Sequence, residues 1–145
     1  MDSETIIRKL KDILEKDTGL SYVKQVFAGD REQIYGDSYP CIILETPADR
    51  MNSIIEGNVQ ENSFVIHVIP AILIRDREKA LIGDATNKGI IDIIAGIKKA
   101  INSKYPTLER TCLYFDLSVP NIADFPDLTG KYAIIEMSVI YRESI

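Results

Sequence analysis

The sequence is poor in the residues that most often build chemical sites. It has one histidine, His67, two cysteines, Cys41 and Cys112, and no tryptophan. Metal sites draw on clusters of histidine, cysteine and carboxylates at short spacings. The two cysteines lie far apart along the chain, and His67 is close to neither. We therefore predict no metal site and no bound cofactor.

The same scarcity limits nucleophilic catalysis, which needs a nucleophile beside a base. Only a pairing of Cys41 or Cys112 with His67 would qualify, and no glycine-rich elbow surrounds either cysteine. Both cysteines lie in apolar, strand-like runs, which predicts buried free thiols in a reducing compartment. His67 stands between Ile66 and Val68, which favours a hydrogen-bonded strand histidine. We predict that the protein is not an enzyme.

One catalytic alternative stays open, a metal-dependent site around Asp116 and Glu136. A nuclease places two or three carboxylates and a lysine around divalent ions. Glu136 and Ser138 fall on one side of a predicted strand, with serine where a restriction-type nuclease needs lysine. The segment from Gly83 to Gly89 superficially resembles a phosphate loop but lacks the Gly-Lys-Ser/Thr order. A solvated sheet face explains both carboxylates more simply.

Positive charge and long apolar runs are also scarce. The chain has 17 Lys and Arg against 22 Asp and Glu, a net charge of −5. This balance argues against a protein that grips nucleic acid, since phosphate binding relies on clustered Lys and Arg. No apolar run approaches the ~20 residues that span a bilayer, and the acidic N-terminus resembles neither a signal nor a transit peptide. We expect a cytoplasmic protein that contacts no membrane.

What the sequence does contain is enough apolar residues for one domain, residues 1–145. Hydrophobic residues make up 46% of the chain, and this length can bury a core. Helical periodicity predicts a first helix, capped by Asp2 or Ser3 and ending near Gly19, and a second helical region over residues 78–103. Gly83 is the candidate position for a break in the second region. The two apolar stripes comprise Ile6, Ile7, Leu10, Ile13 and Leu14, and Ile90, Ile94, Ile97 and Ile101.

Five strands are predicted, at residues 22–27, 39–45, 63–73, 112–119 and 132–141. The last two alternate strictly, with Leu113, Phe115, Leu117 and Val119 on one side of the first of them, which is typical of antiparallel strands with one buried face. The segment 41–45 is mostly apolar and is expected to be covered on both faces. A polar loop is expected at 28–38, a long loop at 120–130, and a long hairpin arm or loop at 48–62 with its turn at Gly57-Asn58.

The fold class that follows is α+β, a mixed or antiparallel sheet with two helices packed on one face. The predicted order is α-β-β-β-α-β-β. Each helix has an apolar stripe that the sheet can cover.

This order of elements resembles that of the tail terminator and tail-completion proteins of tailed bacteriophages. The resemblance covers nearly the whole chain. It rests on the N-terminal amphipathic helix, on Tyr39-Pro40-Cys41-Ile42-Ile43-Leu44 leading into the arm, and on a final strand pair ending in Ile140-Tyr141-Arg142. The family has no catalytic centre, so no catalytic residue carries over.

The resemblance implies a structural virion protein that forms a homo-oligomeric ring, usually a hexamer. Such a ring caps the tail tube, stops its polymerisation and docks onto head connector proteins. It would be assembled in the host cytoplasm and reside in the virion tail. An acidic channel lining would let DNA slide through without binding. The residues expected at subunit or tube interfaces are Met51, Ile54 and Ile55 in the arm and Arg75, Asp76 and Arg77 in the charged junction after the third strand.

Two other functions remain as alternatives. The chain could serve as a head–tail connector subunit in the same kind of particle. It could instead be a small acidic binding module of the immunity type, which masks a basic enzyme and is a stable monomer.

Overall fold

The computed structural model describes residues 2–29, 39–47, 51–125 and 130–144, with the backbone alone at 51, 52 and 144. Within these ranges the chain is an α+β protein. The helices are α1 Ser3–Lys16, α2 Arg77–Ile82 and α3 Ile90–Asn102, with a short 3₁₀ turn at Thr18–Leu20. The strands are β1 Gln25–Ala28, β2 Cys41–Glu45, β3 Met51–Glu56, β4 Val59–Ile72, β5 Tyr114–Leu117, β6 Asn121–Asp124 and β7 Lys131–Ser144.

The sheet is built around two long antiparallel strands, β4 and β7, of 14 residues each. On its outer side β4 pairs with β3 over residues 59–64 and with β2 over residues 67–71. The outer side of β7 is shared in the same way by β6 and β5. β1 runs parallel to β2, so the sheet is mixed, as expected.

Helices α1 and α3 cover one face of this sheet, which we call the helix face. The side chain of Asp2 caps α1 by accepting a hydrogen bond from the Thr5 N–H at 2.7 Å. Both predicted stripes point into the core, although Ile7 is only partly buried. They pack on inward residues of β4 and β7, which confirms the predicted alternation: Phe64, Ile66, Val68, Ala133, Ile135, Met137, Val139 and Tyr141.

The second helical region is divided into α2 and α3, and the division lies at Gly83. Gly83 has a φ of 76°, and its N–H donates to the Lys79 carbonyl to end α2. A Cβ on Gly89 would lie 2.4 Å from the Gly83 nitrogen, so the turn closes only with glycine there. Gly89 therefore packs on the turn that precedes α3 and not on the sheet. Gly96 lies against Leu20 of the 3₁₀ turn.

Several strand boundaries also differ from prediction. The first strand begins at Gln25, because the chain first passes through the 3₁₀ turn. β4 begins at Val59 and forms the expected hairpin with β3 through Gly57-Asn58. The predicted loop at 120–130 contains β6, which pairs with β7. Val119 was expected on a buried face and is 84% exposed, because β5 ends at Leu117. Residues 30–38, 48–50 and 126–129 of the predicted loops lie outside the described residues.

The segment after α3 contains three consecutive residues with left-handed backbone angles. Leu108, Glu109 and Arg110 have φ values of 47°, 56° and 69°. This conformation costs roughly 1–2 kcal/mol for each L-residue that carries a Cβ. Leu108 is buried, and Glu109 pairs with Lys9 and Lys104, whereas Arg110 is exposed.

Replacing Arg110 with glycine is therefore expected to stabilise the protein. We expect Arg110→Gly to raise the free energy of unfolding by about 0.5–1 kcal/mol, since glycine adopts this φ without steric cost. Urea denaturation followed by circular dichroism measures the change. The control is Ala95→Gly in α3, which should lower stability by about 1 kcal/mol. Equal destabilisation by both substitutions would contradict the left-handed assignment.

Candidate functional site

The most distinctive surface feature is a three-stranded extension of the sheet. We call it the arm: β3, residues 59–64 of β4 and residues 139–144 of β7, paired in that order. Helix α1 covers the base of the arm only as far as its own N-terminus, where Asp2 and Ser3 lie beside the hydroxyl of Tyr141. Tyr141 is buried, which raises its pKa, and its ring meets Phe64 edge-on at 5.6 Å. Beyond this pair, residues 53–59 are exposed.

The strand register places the two exposed isoleucines of the arm on opposite faces. On the helix face Ser53, Asn62 and Tyr141 form one row across the arm, in which Asn62 and Tyr141 are buried and Ser53 is exposed. The Ser53 hydroxyl donates to Asn62 Oδ1 at 2.6 Å. Ile55 continues this face past the end of the core and is 67% exposed. Ile54 is on the other face and 66% exposed, in a shallow depression of about 260 Å³ lined also by Glu56, Val59, Glu61 and Arg142.

An exposed isoleucine on each face has a direct consequence for the arm. Solvent-exposed strands usually carry polar side chains on the face that packs on nothing. Ile54 and Ile55 break this rule on both faces, which is typical of a strand that another surface covers. The third predicted arm residue, Met51, pairs through its backbone with Phe64, and its side chain lies outside the described residues.

The predicted charged junction lies at the other end of β4, and we define it as residues 73–79. Arg75 and Arg77 are exposed, as expected. Asp76 has a structural role that was not predicted. It is the N-cap of α2, accepting hydrogen bonds from the backbone N–H groups of Glu78 and Lys79 at 3.0 and 3.1 Å. The Asp-Arg-Glu order before an apolar run was the available signal.

The predicted interface residues whose side chains are described thus lie in two separate places on the molecule. β4 has 14 residues, and at a rise of roughly 3.3 Å per residue its ends lie about 40 Å apart. The arm isoleucines are at one end and the junction at the other.

The face of the sheet opposite the helices, which we call the second face, carries a row of ionisable residues. Glu45, His67 and Glu136 lie opposite one another on β2, β4 and β7. His67 Nε2 is 3.3 Å from a Glu136 oxygen, and Nδ1 is 3.9 Å from a Glu45 oxygen. Nδ1 is buried and makes no hydrogen bond to any described residue. His67 lies within a strand, as predicted, but only one of its ring nitrogens makes a hydrogen bond within the described part of the chain.

The geometry separates both cysteines from His67 but places Asp116 close to Glu136. Cys41 is on the second face, four residues before Glu45, so the row of Ile43 and Ile69 lies between it and the row of His67. Cys112 lies in the helix-face core, and its thiol approaches the Pro106 carbonyl oxygen at 3.8 Å. Asp116 pairs with Ser138 and is a diagonal neighbour of Glu136 on the second face. Among the described residues, no group of three or more His, Cys, Asp and Glu has a metal-binding arrangement.

Both thiols are expected to be unreactive in the folded protein. Cys41 and Cys112 are fully buried free cysteines, as predicted, and burial raises their pKa values to about 12 and about 11. Since the thiolate is the reactive form, a thiol reagent at pH 8 should label neither residue within minutes. Both should react once the protein is denatured in guanidinium. Rapid labelling of one thiol in the native state would show that its covering segment opens readily.

The comparisons with known proteins add no relative. The chain matches no protein-family model and no curated protein sequence. In the described part of the chain, none of the helices has the length and apolar character needed to cross a bilayer.

Proposed function

We propose that this protein is a structural subunit of a bacteriophage tail, resembling a tail terminator. Copies of it would form a ring that caps the tail tube and joins it to head connector proteins. The observation that supports this most is the arm, which extends past the cover of α1 with an exposed isoleucine on each face. Folding of the monomer does not use these side chains, so their exposure fits burial against another subunit.

Two further observations support an assembly role. The candidate contact patches lie at opposite ends of β4, which suits a head-to-tail interface, the kind that closes into a ring when the rotation per subunit is right. The second face carries Glu45, Asp116 and Glu136 around His67. An acidic surface of this kind suits a channel through which DNA passes without binding.

The test combines imaging with a functional assay on tail tubes. Negative-stain electron microscopy across a concentration series should reveal rings with a central hole, alone or on tube ends. Added to polymerising tail tube protein, the protein should stop elongation at about one ring per tube end. Tubes that elongate normally, with no protein bound at their ends, would contradict the terminator role.

A head–tail connector subunit is the closest alternative, and the same arm supports it. It predicts that the rings bind purified portal and leave tube growth unchanged. The acidic second face also supports the immunity-type binding module. That function predicts a monomer at all concentrations with one tight, basic protein partner.

A further inference from the structure

The tip of the arm combines apolar side chains with negative charge. Ile54, Ile55 and Val59 are all at least 40% exposed. The charged residues among them are three carboxylates, Glu56, Glu61 and Glu143, and one guanidinium, Arg142. Arg142 lies 3.5 Å from Glu61, which leaves Glu56 and Glu143 to set the sign of the tip.

The junction at the other end of β4 has the complementary character. Leu73 of the junction is 42% exposed, and Ile82, three residues beyond the junction at the end of α2, is 54% exposed. Residues 73–79 contain three basic and two acidic side chains. Asp76 is directed at the backbone N–H groups of α2, and Lys79 lies 3.8 Å from Asp84. The exposed charges that remain are Arg75 and Arg77 against Glu78, which leaves this end of the sheet positive. Arg77 also lies near Asp124 of β6, whose pKa is lowered mainly by Lys131 and further by Arg77.

These two patches cannot meet within one molecule, because the rigid length of β4 separates them. A second copy of the chain carries both and can bring its junction to the arm of the first. We infer that the arm tip of one copy packs against the junction of the next, with the aliphatic side chains in contact and the carboxylates facing Arg75 and Arg77. Charge pairs at the rim of such a contact mainly set partner orientation, and the apolar area supplies affinity. The inference rests on the proposed function, since it names the surfaces through which the ring closes.

Directed cross-linking tests this contact. One variant carries Ile55→Cys in the arm and another carries Ile82→Cys near the junction. The native thiols are buried, so the introduced cysteine is the reactive one. At about 1 mM protein, a short bismaleimide should join the two variants as a covalent dimer when they are mixed. Neither variant alone should exceed the background of Asn102→Cys, an exposed control at the far end of α3.

The outcomes separate this inference from the proposed function. Self-cross-linking of the arm variant above background would show an arm-to-arm contact and overturn the inference. A mixture that stays at background overturns it too, whether or not rings are present. If rings or capped tubes form while cross-linking stays at background, the proposed function is supported and the inferred contact is contradicted. Cross-linking in the mixture without any tube or portal binding would support the contact and contradict the tail role.

Charge reversal provides a second, independent readout. Glu56→Lys with Glu143→Lys in the arm, or Arg75→Glu with Arg77→Glu in the junction, should each weaken self-association about tenfold or more. All four substitutions in one chain should restore most of the self-association, because the two surfaces are again of opposite charge, with the signs exchanged. Sedimentation velocity measures each association constant. A quadruple variant as weak as the sum of the two changes would overturn the proposed pairing.

Discussion

The double variant Ile54→Thr with Ile55→Thr is expected to stay monomeric at concentrations at which the unmodified protein assembles. Both isoleucines are about two-thirds exposed in the monomer, so their removal takes little from the folding energy. Threonine keeps the β-branch and the strand propensity of isoleucine. In an assembly that buries them, each side chain contributes roughly 1.5–3 kcal/mol, so losing both weakens association by two orders of magnitude or more.

Sedimentation velocity and thermal unfolding, measured on the same samples, check this prediction. The melting temperature should stay within a few degrees of the unmodified protein while the oligomer disappears. A matched control is Val119→Thr with Ile122→Thr, two exposed apolar residues outside the arm. It should change neither quantity. If the arm variant assembles as the unmodified protein does, the arm is not a subunit contact.

The largest expected effect on stability is that of Phe64→Ala. Phe64 is 2% exposed on the helix face of β4, and its ring packs edge-on against Tyr141 at an interplanar angle of 89°. Truncating a buried phenylalanine to alanine removes its burial energy and leaves a cavity, which together cost about 3–5 kcal/mol. Because Phe64 pairs with Met51 at the base of β3, the variant should also weaken the anchorage of the arm.

Urea denaturation gives the free energy of unfolding for this comparison. The control is Tyr114→Ala on β5, an aromatic residue that is 44% exposed and should cost well under half as much. If Phe64→Ala does not fold, Phe64→Leu retains most of the volume and should cost about 1–2 kcal/mol. Equal costs for Phe64→Ala and Tyr114→Ala would show that the described packing of Phe64 is wrong.

The helices and the long strands could be predicted because their signal is local and repeated. In α3 the isoleucines recur over the whole helix, and in β7 five inward residues alternate without interruption. β6 was missed because it has only four residues, Asn121 to Asp124, which are too few to show a strand alternation and lie in a stretch with the composition of a loop. The strand forms because the first part of β7 leaves backbone groups on that side that need partners.

The candidate site was predicted only in part. Exposure of Ile54, Ile55, Arg75 and Arg77 followed from their place in polar stretches, and the structure agrees. The capping role of Asp76 was not predicted, because the second helical region was expected to begin at residue 78 and Asp76 was assigned to the charged junction before it. The opposite directions of Ile54 and Ile55 depend on β3 being a paired strand, which the description as arm or loop left open.

The sequence by itself determined the α+β class, the inward stripes, the hairpin turn and the burial of both thiols. Each depends on neighbouring residues, whose spacing sets which side chains share a face. Only the tertiary structure decided that β2 and β3 share one side of β4, that α1 reaches Tyr141 and leaves the tip of the arm uncovered, and that this tip and the junction lie at opposite ends of one strand. These features depend on pairings between residues far apart in the chain. Backbone hydrogen bonding and burial select the partner in each pairing, and local residue spacing does not predict it.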